Sequence, residues 1–238
     1  MEAWGLTHRG AVRQQNQDAF AIRNLPDGRV IALVCDGMGG ARAGNIASAM
    51  AVKLFTEEFL RTSGREEERM RKAAALANRD VFQRSLRDED CAGMGTTLVA
   101  ALAGEGGAVI LNEGDSRAYH ISPDGITRIT RDHSLVENMV ERGDITEEEA
   151  RRHPNKNLIT RALGPDENAD CDGFICPLEK GDFVLLCSDG LVDTVTDQEM
   201  LYEVIHGGEL DTCLDRLMEI AKSRGAADNV TVVLMQNN

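Results

Sequence analysis

Aromatic residues and proline are scarce in this 238-residue chain, since Phe, Trp and Tyr make up 4% of it and proline occurs 5 times. The core must therefore consist mainly of Val, Leu, Ile, Ala and Met. Hydrophobic residues at 42% and charged residues at 28% are typical of a globular protein and exclude a disordered or collagen-like one. The sequence contains no linker, low-complexity tract or repeat. We therefore expect residues 1–238 to form a single domain.

Positive charge is also in short supply. Lys and Arg number 26 against 40 Asp and Glu, which gives a net charge of −14. Without a strongly basic run, the chain is not expected to bind nucleic acid or an anionic membrane surface. The longest uncharged stretch, Cys91–Gly104, is too short to span a bilayer, and Met1–Gly10 does not resemble a signal peptide. We expect a cytoplasmic protein.

Several cysteine and glycine motifs are missing. The 6 cysteines form no Cys-x-x-Cys pair, and none has an arginine six residues further on. These absences argue against a disulfide framework, a zinc site and a thiol-dependent phosphatase. No predicted strand leads into a Gly-x-Gly-x-x-Gly helix start, so a dinucleotide site is not indicated.

Short apolar runs rich in β-branched residues predict eight strands. They cover Asp18–Arg23, Val30–Cys35, Thr96–Ala103, Ala108–Asn112, Arg117–Ile121, Ala169–Cys176, Asp182–Cys187 and Val230–Met235. Hairpin turns are predicted at Asp27-Gly28, at Gly104–Gly107 and at Pro123-Asp124-Gly125.

Helical patterns occupy other parts of the chain. Long helices are predicted at Ala43–Leu60 and Glu66–Arg87, and a last one at Glu209–Ser223. Capping boxes begin at Thr146 and Thr196. Strands in consecutive runs and helices in pairs favour an α+β protein with antiparallel sheets.

Aspartates recur where predicted strands begin or end. Asp36 and Asp189 follow buried strands, Asp115 follows another after a short turn, and Asp228 precedes the last strand. A carboxylate at the end of a buried strand is costly to desolvate unless a cation meets it. Each Asp taken singly is explained by a turn. Together they favour a site for a hard divalent cation, although spacing alone does not show that they converge.

An ordered series of motifs carries a resemblance that covers essentially the whole chain. They are Thr7–Asp18, Asp36–Gly40, Gly95–Thr97, Gly114–Arg117, Asp132–Ser134, Ser188–Asp193 and Asp228–Thr231, with Ile159–Gly164 closing the segment that begins at Asp132. In this order they resemble the metal-dependent serine/threonine protein phosphatases (PPM, type 2C), and the bacterial members most closely.

The resemblance implies a fold and a set of roles. The fold is an αββα sandwich of two antiparallel β-sheets flanked by pairs of α-helices. The two core ions, Mn²⁺ or Mg²⁺, would be held by Asp36 (bridging), the Gly37 carbonyl, Asp189 and Asp228, and they would activate the attacking water. Asp18 would orient that water and Arg13 would bind the substrate phosphate. A third, weaker ion would be held by Asp115 and Asp193 together with Asp189.

The implied activity is hydrolysis of phosphoserine and phosphothreonine on proteins by a monomeric enzyme whose partners are a bacterial Ser/Thr kinase and its substrates. Residues 132–164 resemble the flap beside the active site of such enzymes, although their charge pattern alone also fits a solvated insertion. This chain departs from the common pattern at Gln17, at His8 and at Met38, where many eukaryotic members carry a proton-donating histidine.

Two other interpretations stay open. Residues Asn168 to Glu179 match most of a calcium-loop pattern, which would suggest a calcium-binding module, although Gly164-Pro165 prevents a helix from running into it. The chain could also be an inactive phosphatase-like sensor. The complete set of aspartates argues against that reading.

Overall fold

Strands and helices follow one another along the chain in the structure, a computed structural model that describes residues 1–207 and 210–238; the side chains of residues 40–42 and 210 lie outside the description. In chain order the strands are β1 (Glu2–His8), β2 (Asp18–Asn24), β3 (Val30–Met38), β4 (Gly95–Thr96), β5 (Leu98–Gly104), β6 (Gly107–Glu113), β7 (Arg117–Ser122), β8 (Gly125–Arg128), β9 (Asp172–Pro177), β10 (Phe183–Cys187) and β11 (Val230–Gln236). The helices are α1 (Gly40–Arg61), α2 (Glu66–Arg87), α3 (Leu135–Glu141), α4 (Glu147–Arg152), α5 (Asp189–Val192), α6 (Asp197–His206) and α7 (Leu210–Ser223).

The strands form two antiparallel sheets. One has five strands in the order β1-β11-β10-β7-β8, and the other has six, in the order β2-β3-β5-β6-β9 with β4 paired to β3. Neighbours along the chain pair as hairpins at β2–β3, β5–β6 and β7–β8, where the turn residues predict them. The predicted antiparallel α+β architecture is confirmed.

Alternating side chains stack the sheets and helices into four layers. In β3, Ile31, Leu33 and Cys35 belong to the apolar cluster under α1 and α2. The intervening residues Val30, Ala32 and Val34 belong to the core between the sheets. The residues of β10 alternate in the same way between that core and the cluster under α6 and α7. Because these strands are buried on both faces, their sequences are continuous apolar runs. The predicted αββα sandwich is confirmed.

Two strands escaped the sequence analysis. β1 contains Gly5, Thr7 and His8 and lacks a run of β-branched residues, and β8 has four residues. Gly5 is required at its position because a Cβ atom there would lie 2.5 Å from the ring of Phe20. Pairing with the buried β11 along its whole length holds β1 in the sheet, and this is a contact between opposite ends of the chain.

Other local predictions meet different outcomes. Thr146 and Thr196 both form complete capping boxes, as predicted. The last predicted helix is seen as α7 from Leu210 onward, while its first residue, Glu209, lies outside the described residues. The calcium-loop reading of residues 168–179 is wrong, because Asp172–Pro177 forms β9 and pairs with β6. None of the helices in the described ranges has the length and apolar character of a membrane span.

Candidate active site

The predicted site aspartates lie at one end of the sandwich because antiparallel strands alternate in direction. In one sheet, β2 begins with Asp18 opposite Asp36 near the end of β3. In the other, β10 ends just before Asp189, and its neighbour β11 begins just after Asp228. Asp115 lies in the turn between β6 and β7. Stacking the two sheets brings these ends together, which spacing alone did not show.

Asp18 is held rigidly from the opposite sheet. Its Oδ2 accepts hydrogen bonds from the hydroxyls of Ser188 (2.8 Å) and Thr231 (2.6 Å). The Thr231 hydroxyl donates its only hydrogen to Asp18, so in its contact with the Thr7 hydroxyl, 2.7 Å away, Thr7 is the donor and Thr231 the acceptor. The same Thr7 oxygen accepts from the amide of Asn16 at 2.8 Å. This relay explains why hydroxyl residues stand at these motif positions.

The backbone around Asp36 is fixed by the Gly95–Thr97 motif. The Asp36 amide donates to the Thr97 hydroxyl at 2.9 Å, and the Asp36 carbonyl accepts from the Thr96 hydroxyl at 2.8 Å and the Thr97 amide at 2.8 Å. Gly37 is a glycine because a Cβ atom there would lie 2.0 Å from the carbonyl oxygen of Gly44 in α1. The chain can therefore turn from β3 into α1 only with glycine at this position.

The carboxylates of this end repel one another strongly. Burial raises the pKa of Asp36 well above its ordinary value, and the charges of Asp18, Asp189, Asp115 and Asp228 raise that pKa further. Burial followed by neighbouring carboxylates also raises the pKa of Asp189. Burial raises the pKa of Asp18 to about 6, against the opposing effect of its hydroxyl partners. Because four other carboxylates act on each of them, Asp36 and Asp189 are the most strongly repelled members of the cluster.

Two buried oxygens of this cluster lack a partner. Asp18 Oδ1 and Asp189 Oδ1 are inaccessible to solvent and accept no hydrogen bond from the described residues. Buried polar atoms are usually satisfied, so these two call for an explanation. A divalent cation that carries bound water would give partners to both oxygens, the water to Asp18 and the ion to Asp189, and would offset the mutual repulsion.

The carboxylates are gathered but do not enclose a ready-made ion site. No group of three or more His, Cys, Asp and Glu side chains within residues 1–207 and 210–238 is arranged as a complete metal shell. Such an arrangement is consistent with ions that keep several water ligands, as Mg²⁺ does. The donor set, which consists of carboxylate oxygens and the Gly37 carbonyl oxygen, fits Mn²⁺ or Mg²⁺ better than Zn²⁺ or copper.

Arg13 stands at the rim of the carboxylate cluster. Its Nη2 donates to Asp228 Oδ2 at 2.7 Å, and half of the Arg13 side chain is exposed. Hydrogen bonding to Asp228 raises the pKa of Arg13, with further contributions from the charges of Asp228, Asp36 and Asp189 that outweigh burial. Arg13 thus faces the cluster while its guanidinium stays accessible to a ligand.

The loop that carries Arg13 is tied to the start of β11. The Asn229 side-chain amide donates to the carbonyls of Arg9 (2.8 Å) and Gln15 (3.0 Å), and its oxygen accepts from the Gln17 amide (2.8 Å). A Cβ atom at Gly10 would lie 2.0 Å from the Asp228 carbonyl oxygen, so the loop reaches β11 only because residue 10 is glycine.

Asp115 and Asp193 are the two aspartates predicted to hold a third ion together with Asp189. Burial raises the pKa of Asp115 to about 7, with the charges of Asp132 and Asp193 adding to it. Asp193 follows α5, is largely exposed, and accepts a hydrogen bond from Lys156 Nζ at 2.5 Å. The Lys156 contact was not predicted, and it links residues 132–164 to this edge of the site.

Two further side chains escaped the sequence analysis although they belong to a quoted motif. Arg117 binds both oxygens of Asp132, at 2.6 Å from Nη2 to Oδ2 and 3.0 Å from Nε to Oδ1. His133 is buried and bonds the turn before Asp115 through its Nδ1. The position of Asp132-His133 between a strand and a charged segment was the available signal for both.

The positions that depart from the common pattern have local explanations. His8 Nδ1 accepts from the Gly10 amide at 2.9 Å and so helps to shape the loop of Arg13. The backbone of Gln17 bonds Asn229, Gly37 and Ser48. Met38 packs its methyl group toward Gly95, the residue it pairs with across β3 and β4.

Comparison with known proteins gives consistent matches. The family model described as protein phosphatase 2C matches residues 5–235. The serine/threonine phosphatase stp of Listeria innocua is 38% identical over 243 residues, covering 100% of this chain and 96% of the relative. The crystal structure of serine/threonine phosphatase Stp1 from Staphylococcus aureus has a TM-score of 0.94 at 37% identity and covers 100% of this chain and 95% of that one. The catalytic domain of PstP, solved with 2 manganese ions, has a TM-score of 0.87 at 32% identity and covers 98% and 96%.

The chain is an αββα sandwich with carboxylates gathered at one end, and serine/threonine phosphatases match it over its whole length. These features define a phosphoprotein hydrolase. The chain belongs to the protein phosphatase 2C (PPM) family, in its bacterial form, and it is a protein-serine/threonine phosphatase. The family is metal-dependent. The reading as an inactive sensor is not supported.

Proposed function

We propose that the chain hydrolyses phosphoserine and phosphothreonine on proteins at a centre of two Mn²⁺ or Mg²⁺ ions. The observation that carries the proposal is the raised pKa of Asp36 among four other carboxylates, together with the unpartnered oxygens of Asp18 and Asp189. A protein tolerates such repulsion at a functional site when a cation relieves it.

The residues divide into holders of the ions and holders of the substrate. Asp36, the Gly37 carbonyl, Asp189 and Asp228 would hold the two ions. When bound, the ions would neutralise the phosphate dianion and lower the pKa of a water so that it is nucleophilic at neutral pH. Asp18, fixed by Ser188 and Thr231, accepts a hydrogen bond from the attacking water and sets its direction.

Arg13 binds the phosphate. Its planar guanidinium can donate two parallel hydrogen bonds to phosphate oxygens, which a lysine cannot do. The hydrogen bond to Asp228 orients the guanidinium toward the cluster, and the exposed half of the side chain leaves it open to a substrate on a protein surface.

A third and weaker ion would be held by Asp115 and Asp193 with Asp189. Asp193 is exposed and Asp115 is partly buried, so this site would have few protein ligands and more water. Since Met38 cannot donate a proton to the leaving alkoxide, we assign the ordering of a proton-donating water to this side of the site. Residues 132–164, which reach it through Lys156, would act as a flap that influences substrate choice.

The substrate's chemistry also places the enzyme in a reaction sequence. Phosphoserine and phosphothreonine arise on proteins by phosphoryl transfer from a nucleotide, so a Ser/Thr protein kinase must supply the substrate. We propose that the chain opposes such a kinase in the same cell.

The deciding experiment measures phosphate release from a phosphothreonine peptide with MnCl₂, with MgCl₂ and with EDTA. Activity should require a divalent cation, should be lost in EDTA and should return when MnCl₂ is then added in excess. Thiol alkylation should leave activity intact because all 6 cysteines are buried. Full activity in EDTA, or loss on alkylation with the metal retained, would exclude the proposal.

A further inference from the structure

His133 joins the turn of Asp115 to the base of the flap, and the function described above leaves it without a role. The side chain is 5% exposed and lies between the end of β8 and the start of α3. Its ring contacts two segments that are far apart in sequence, the turn at Gly114 and the start of β9 at Asp172.

The two ring contacts require one tautomer. The Gly114 amide lies 3.0 Å from His133 Nδ1, and because a backbone N–H can only donate, Nδ1 must be the acceptor. A neutral imidazole then carries its hydrogen on Nε2, which lies 3.0 Å from Asp172 Oδ2 and donates to it. Asp172 is itself fixed by Arg161 at 2.9 Å and by the pairing of β9 with β6.

Gly114 is held by hydrogen bonds on both of its peptide groups. Its amide is taken by the His133 ring, and its carbonyl accepts from the His133 amide at 2.9 Å and from the Asn112 side chain at 3.3 Å. Gly114 has φ +115°, and a Cβ atom there would lie 2.6 Å from the Thr97 side chain. His133 therefore holds both peptides that lead to Asp115, the Glu113–Gly114 peptide through its ring and the Gly114–Asp115 peptide through its backbone amide.

The neighbouring residue Asp132 binds the other end of the turn of residues 114–117. Arg117, two residues after Asp115, is bound by both oxygens of Asp132. Two consecutive residues thus clamp the turn of residues 114–117 from its two ends. The His133 carbonyl also accepts a hydrogen bond from the Thr160 amide at 2.8 Å. This bond joins the beginning of segment 132–164 to its end.

We infer that His133 is a positioning residue of the phosphatase: its Nδ1 fixes the Gly114 peptide and thereby aims the Asp115 carboxylate, and its backbone connects that turn to the base of the flap. The inference rests on the proposed role of Asp115 in the third ion site. His133 does not touch the substrate, so its influence must act through Asp115.

Two variants of His133 distinguish the effect of its hydrogen-bond acceptor from the effect of its volume. His133→Asn places an oxygen where Nδ1 lies and keeps an acceptor for the Gly114 amide, whereas His133→Leu fills a similar volume with no acceptor. Both variants lose the Nε2 contact to Asp172. Asp172→Ala removes that contact alone, and Asp115→Ala serves as the reference for loss of the carboxylate itself.

Three readouts are compared in the full chain: amide hydrogen exchange of Gly114 in EDTA, Mn²⁺ titration by calorimetry, and kcat and KM on a phosphothreonine peptide. In His133→Leu we expect Gly114 exchange to be about tenfold faster and the weakest Mn²⁺ site to bind about tenfold more weakly, since a buried donor loses its acceptor. The kcat should fall about tenfold with KM nearly constant. His133→Asn should stay within about threefold of the parent in all three.

The inference would be overturned if His133→Leu and His133→Asn lost Gly114 protection, weak-site Mn²⁺ affinity and kcat to the same extent. If Asp115→Ala still lost the weak ion in that case, the proposed third ion site would stand. Normal metal titration and kcat in Asp115→Ala would instead refute the proposed role of Asp115, and the inference with it. Asp172→Ala should resemble His133→Asn, and a larger loss than in His133→Leu would also contradict the assignment.

Discussion

Asp132 and Asp36 lie at the same end of the sandwich and meet opposite surroundings. Asp132 receives three hydrogen bonds from the guanidinium of Arg117. Burial alone would lower the pKa of Arg117, but the charge and hydrogen bonds of Asp132 outweigh it and raise that pKa. Asp36 instead faces four carboxylates, and its pKa is raised by burial and by each of them.

The contrast separates a carboxylate that supports the fold through an ion pair from carboxylates that are proposed to bind a cation. A buried ion pair costs stability when one partner is removed, because the other charge is left unpaired. Removing one charge from a group of like charges relieves repulsion instead. The two aspartates should therefore respond in opposite ways to the same chemical change.

The largest effect is expected from Asp36→Asn. Turnover should fall by about a thousandfold or more, because the charge proposed to bridge both ions is lost. In EDTA the same variant should unfold at a higher temperature than the parent. Asp182→Asn is the matched control, since Asp182 is buried at a distance from the cluster and pairs with His120. Near-normal turnover in Asp36→Asn would refute its role.

Asp132→Asn should show the reverse. It leaves the Arg117 charge without its counter-charge, and we expect the free energy of unfolding to fall by about 3 kcal/mol. Urea unfolding with and without EDTA measures this. The double variant Asp132→Leu with Arg117→Met should recover much of the loss. A stabilising effect of Asp132→Asn alone would erase the distinction between the two aspartates.

The metal-free fold should also depend on pH. The pKa of Asp18 rises from its ordinary value of 3.8 to about 6 and that of Asp115 to about 7, so the folded state holds protons that the unfolded state has released. Stability in EDTA should therefore be highest near pH 4 and decline as pH rises to 7, by about 3 kcal/mol for Asp18 alone. Saturating Mn²⁺ should flatten this profile. Stability that rises with pH over this range in EDTA would contradict the charge assignment.

The smallest of these effects is expected for Arg13→Ala. Arg13 is proposed to contact the phosphate in both ground and transition states, so KM for a phosphopeptide should rise about tenfold while kcat changes little. Because the Arg13–Asp228 pair is partly exposed, stability should barely change. Arg9→Ala, on the same loop, is the control. An unchanged KM with a collapsed kcat would move Arg13 from binding to chemistry.

Much of the fold could be predicted because its signals are local. The apolar runs of β3, β5 and β10, the turns after β2 and β7 and the capping boxes at Thr146 and Thr196 depend on residues a few positions apart. β1 could not be found in this way, because its place in the sheet depends on β11 at the other end of the chain.

The sequence by itself determined the family, through the order of its motifs, and the residues proposed for the site: aspartates at the ends of strands and an arginine five residues before Asp18. The tertiary structure alone decided that these residues meet. Small side chains such as Ala32, Ala101 and Ala118 let the sheets pack, and this packing sets Asp18 and Asp36 against Asp189 and Asp228. The same non-local packing brings aspartates from separate turns into one cluster and raises the pKa values of Asp36, Asp115 and Asp189, because repulsion depends on distance in space rather than along the chain.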